Sequence, residues 1–77
     1  MTTGALLRAE REAVGVRAKD VAAVWQVDPA IITRIEQREV VVALTVKRHR
    51  RAVEALVEQR RTAARQLIRQ LEEVAAR

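Results

Sequence analysis

Apolar residues in the C-terminal part of the chain recur at Val53, Leu56, Val57, Ala64, Leu67, Ile68, Leu71 and Ala75. Spacings of three, four, seven and eight mark one face of a helix. No Gly or Pro occurs from Thr45 to Arg77, so one unbroken rod about 50 Å long is expected there. Thr45 is the expected cap of that rod. Arg60 interrupts the apolar stripe and suits an interface edge, where its stem packs and its head stays wet.

Upstream, the pattern predicts three shorter helices. The first runs from about Gly4 to Val14, capped by Thr2 or Thr3 and ended by Gly15 in the left-handed region. A second covers about Ala18 to Trp25, with Arg17 standing where a capping hydroxyl is usual. A turn over Gln26 to Asp28 leads to a third helix. Its start is well marked, because Asp28 is a good N-cap and Pro29 fits the first helical position. That helix is expected to reach about Gln37. The β-branched run Val40, Val41 and Val42 then reads as an extended connector. These elements predict an all-α fold in two parts: residues 1–44 as a compact helical unit, and residues 45–77 as a long basic-to-amphipathic helix.

Composition narrows the chemistry. The chain has 77 residues and no Cys, and it also lacks Ser, Tyr, Phe and Asn. Disulfides, thiolate metal sites and serine or cysteine nucleophiles are therefore excluded. His49 is the only imidazole, set among arginines, and is expected on a solvated face. Neither an enzyme, a metal nor a cofactor is expected. No apolar run is long enough to span a membrane, and a cytoplasmic location is expected.

Net charge is +5. Residues 1–45 carry six basic and six acidic side chains, whereas residues 46–77 carry nine basic and four acidic. The whole excess lies in the C-terminal part, densest at Lys47-Arg48-His49-Arg50-Arg51. Such a cluster suits a polyanion. It also has readings as a solvated helix start or a protein-docking patch. Trp25, the only aromatic, falls at helical spacing from Val21 and Ala22 and is expected in the core.

Residues 4–56 resemble the Cro and phage-repressor (Xre-like) helix-turn-helix family. The resemblance rests on Arg11, Gly15-Val16, Val21-Ala22, Val27 at the turn, Ile32 and Arg34-Ile35-Glu36. It implies that Ala22 lets the second and third helices cross closely. It also implies a core of Val16, Val21, Trp25, Val27, Ile32 and Ile35, and a structural ion pair between Arg11 and Glu36. The third helix becomes the recognition helix, meeting base edges in the major groove through Pro29, Ala30, Thr33 and Arg34. Arg34 suits guanine O6 and N7, and Thr33 offers a hydroxyl and a methyl. Phosphates would be held near Arg17, Ala18 and Lys19, by Gln37 and Arg38, and by Lys47 and Arg48. Four places along the chain depart from the family's usual residues. Ala18 replaces a Gln and Gln26 replaces the turn Gly. Pro29-Ala30-Ile31 stands where paired polar residues are common, and Arg38 replaces a Gly.

The function so implied is a sequence-specific transcriptional regulator of double-stranded DNA, a repressor acting as a homodimer. Its oligomerising residues would be Val53, Leu56, Val57, Leu67, Ile68 and Leu71, paired as a coiled coil or bundle. The alternative is a helix-turn-helix module that binds a protein, as a transcription-machinery adaptor or a phage packaging component, oligomerised by its C-terminal helix.

Overall fold

Four helices and no strand make up the chain: α1 (Gly4–Ala13), α2 (Ala18–Trp25), α3 (Pro29–Glu36) and α4 (Ala43–Ala75). The computed structural model describes residues 1–77. Local chemistry accounts for the first three helices. The Thr3 hydroxyl accepts from the Leu6 N–H at 3.1 Å to cap α1. Gly15, at φ +69°, turns the chain after it. At α2 the N-cap is Arg17, and Asp20 compensates by accepting the Arg17 backbone N–H at 3.0 Å. Asp28 caps α3 by accepting from the Ala30 N–H at 2.8 Å, with Pro29 in the first turn. Gln26 takes the left-handed conformation, φ 59° and ψ 46°, which the turn between α2 and α3 requires.

α4 begins at Ala43 rather than at Thr45, with Val42 as its N-cap and no side-chain cap. Tertiary contacts set this start. Val41 is buried with Leu7, Ile35 and Val46, and its N–H bonds the Thr2 carbonyl at 3.0 Å. The helix therefore starts as soon as the chain has left that anchor.

Two apolar clusters hold the helices together. Val16, Val21, Ala22, Ile32 and Ala52 form one, and Leu7, Ile35, Val41 and Val46 the other. Half-buried Trp25 packs against both. Ala22 is 1% exposed between α2 and α3, where a larger side chain would force them apart. Gly4 makes an even closer approach: a Cβ there would lie 2.5 Å from the Ile35 carbonyl oxygen. Its N–H donates to the Arg38 carbonyl at 2.9 Å, so backbone meets backbone where the start of α1 docks against the end of α3.

The first turns of α4 belong to the same core, with Val46, His49 and Ala52 buried. Val53, Leu56 and Val57 are only partly exposed because they pack on the Val16–Ala52 cluster. Part of the apolar surface expected to serve oligomerisation is thus used within the chain. From Glu58 onward every residue is exposed, and the rod projects to give the molecule a length of 56 Å. Arg60, at the expected break in the stripe, has partners within its own chain. Its guanidinium reaches back to the Val14 carbonyl at 3.1 Å and lies 3.8 Å from Asp20. No helix is long and apolar enough to cross a membrane.

Candidate nucleic-acid interface

The exposed side of α3 is held in place by a buried polar cluster behind it. Arg11 of α1 meets Glu36 of α3 through two bonds, Nε–Oε2 at 2.9 Å and Nη2–Oε1 at 2.7 Å. The remaining Arg11 nitrogen donates to the Val16 carbonyl at 2.9 Å. The ion pair expected from the sequence is therefore present, but it is extended by a third member. His49 of α4 donates from Nε2 to Glu36 Oε2 at 2.9 Å, and it is fully buried. A carboxylate only accepts, so Nε2 carries a proton. The solvated position expected for His49 is wrong. It lies three residues after Val46 on the inward face of α4, which carries it into the core.

Burial pushes the Glu36 carboxyl up, but the bonds and charges of Arg11 and His49 outweigh it and hold the group below its ordinary range. The same pairing raises Arg11. Buried groups of this kind fix geometry more than they add stability. Here they tie α1, α3 and α4 into one relative orientation.

With Ile32, Ile35 and Glu36 turned inward, α3 presents Pro29, Ala30, Ile31, Thr33 and Arg34 to solvent. Arg34 has no carboxylate within salt-bridge distance, so its guanidinium is free. The Thr33 hydroxyl donates to the Pro29 carbonyl at 3.3 Å, which leaves its lone pairs free to accept on an exposed residue. Gln37 and Arg38 follow directly and are exposed. Thr33 and Gln37 share a shallow cleft with Arg8, Arg11 and Glu36. Arg8 is a cation beside α3 that sequence spacing did not single out. It is partly engaged by Glu12, at 2.8 Å.

The remaining positions differ in availability. Lys19 and Lys47 are exposed and without a carboxylate partner. Arg17 is exposed, its Nε 3.5 Å from Asp20, and Ala18 is half-buried against the core. The basic run of α4 divides by helical periodicity. His49 points inward and Arg50 grips Glu10 through two bonds of 3.0 and 2.8 Å. Arg48 lies over the Trp25 ring, 4.3 Å from its centroid. Arg50's hydrogen bonds hold the Glu10 carboxyl below its usual range. No three His, Cys, Asp or Glu side chains come together to hold a metal ion.

No family model, curated protein or solved structure matches the chain.

Proposed function

We propose that the chain is a sequence-specific, double-stranded DNA-binding transcriptional regulator of the helix-turn-helix type, acting as a repressor by occupying a promoter. The observation that carries this reading is the α3 face. A short helix is locked from behind by Arg11, Glu36 and His49, while its outer side offers an unpaired Arg34 and an exposed Thr33. α2 and α3 would then be the paired helices of the motif, with α3 in the major groove. Arg34 reads guanine, Thr33 and Ala30 meet bases or thymine methyls, and Pro29 opens the helix against the DNA. Arg17, Lys19, Gln37, Arg38 and Lys47 hold phosphates, with the α2 amides near Ala18 adding backbone donors.

Dimer formation is supported by the distal half of α4. Leu67, Ile68, Leu71 and Val74 are each more than half exposed on a segment that touches nothing else. Helices draw most of their stability from packing an apolar face, so this stripe favours a second copy. A homodimer would present two α3 helices to successive major grooves about 34 Å apart.

Selection from random duplex DNA at near-physiological salt, with solution mass measured alongside, tests the reading. An enriched palindrome bound by a dimer is expected, and its enrichment should vanish in the folded Arg34→Ala/Thr33→Ala variant. A second reading, a protein-binding or assembly module, is favoured by one observation: the first turn of α3 is apolar, with Ala30 and Ile31 both exposed. Nucleic-acid affinity unaffected by those substitutions and by loss of the Lys47–Arg51 cluster would support it, whereas salt-sensitive binding without enrichment would mean nonspecific DNA binding.

A further inference from the structure

We propose that a groove between the end of α2 and the first turns of α4 docks an acidic amphipathic helix of a partner protein. The groove is a cleft of about 430 Å³ whose floor includes Val24, Trp25, Leu44 and Ala55. Lys47, Arg48 and Arg51 of α4 line it as well, and no acidic side chain does. None of these three cations has a carboxylate within salt-bridge distance. Leu44 is 77% and Val24 47% exposed. Large exposed apolar side chains gathered beside cations that have no carboxylate partner mark an interaction surface more than a solvated one.

Geometry and charge select the occupant. A second copy on the distal α4 stripe leaves the groove open. Leu71 lies 27 residues beyond Leu44, about seven and a half helical turns, so the two leucines face opposite sides of the rod. Duplex DNA would satisfy the cations but bring its hydrated backbone onto Val24 and Leu44. Base stacking is disfavoured because Arg48 already covers a Trp25 face. An amphipathic helix satisfies both parts. Apolar side chains spaced three and four apart would fill the floor, and carboxylates on its flanks would meet Arg48 and Arg51. The floor runs from Leu44 to Ala55 along α4, about 16 Å, which suits about three turns of a bound helix.

Trp25 is the only aromatic residue, so its emission reports on the groove directly. The probe is a synthetic helical peptide of about 14 residues, with leucines at three- and four-residue spacing between glutamates. Titrated into the full chain, it should shift Trp25 emission saturably and more weakly as salt rises. Leu44→Glu and, separately, Arg51→Glu should weaken binding about tenfold or more. Both positions are exposed, and circular dichroism confirms that the variants fold.

Three results would overturn the proposal: unchanged emission, wild-type binding by both variants, or equal binding of a leucine-free peptide of the same charge. Emission that responds to duplex DNA and not to the peptide would assign the groove to nucleic acid instead. Arg34→Ala should lose DNA selection while still binding the peptide, so failure of the DNA reading and failure of this one are separable.

Discussion

Replacing Glu36 with Ala tests whether the buried cluster orients the helices. The substitution removes both Arg11 bonds and the only partner of His49 Nε2. Arg11, 8% exposed, would keep just the Val16 carbonyl. Removing one partner of a buried pair costs about 3–5 kcal/mol, because the other charge stays buried without compensation. A chain of this size has a total stability of about 4–12 kcal/mol. Glu36→Ala should therefore remove about a quarter or more of it. With a urea m-value of about 1.5 kcal/mol/M, the midpoint should fall by about 2–3 M.

Urea unfolding followed by Trp25 fluorescence measures this, since Trp25 packs on both apolar clusters. Converting all three members together, as Arg11→Met/Glu36→Leu/His49→Leu, should restore stability to within about 2 kcal/mol of wild type, because the buried charges leave together. A loss below about 1 kcal/mol in Glu36→Ala would refute the reasoning. The pH dependence has a definite sign. The folded Glu36 carboxyl lies below its ordinary value of 4.5. Its contribution is complete above that value and is lost as the pH falls through the lower folded one. Wild type should therefore lose stability in acid below about pH 4.5, and the triple variant should lose less.

Gly4→Ala should destabilise by about 1–3 kcal/mol in thermal or urea unfolding, because its Cβ would meet backbone of Ile35 and Glu36 that cannot move aside cheaply. At Gln26 (φ 59°) the opposite is expected: Gln26→Gly should stabilise by up to about 1 kcal/mol, as relief of the left-handed strain exceeds the entropy glycine adds to the unfolded chain. Leu71→Glu, at a 61% exposed position, should leave monomer folding intact and reduce solution mass to that of one chain, checked by analytical ultracentrifugation. Val57→Glu, by contrast, should unfold the monomer in circular dichroism, since Val57 packs on the chain's own core.

Much of the architecture was legible along the chain because its signals are local. Thr3, Asp28-Pro29 and Gly15 act within a few residues of themselves, and the helix ends they mark lie where expected. The α3 face was legible through the resemblance, which set Ile32 and Ile35 inward and Thr33 and Arg34 outward, as helical periodicity allows. The start of α4 was not. A threonine cap at residue 45 is plausible in isolation, but burial of Val41 sets an earlier start.

The apolar stripe of α4 shows where this division falls. Its sequence established one continuous helix with one apolar face, because neither depends on anything beyond the helix itself. Which part of that face meets the chain's own core was decided only by how α1, α2 and α3 close upon it. Val53, Leu56 and Val57 are drawn inward, and Leu67, Ile68 and Leu71 are left free. The same closure took His49 from a run of arginines and set it against Glu36, which lies 13 residues earlier in the chain. It also brought Gly4 against Ile35 and Glu36. Such contacts depend on residues distant in sequence sharing a volume, and a one-dimensional pattern carries periodicity but not the distance between helices.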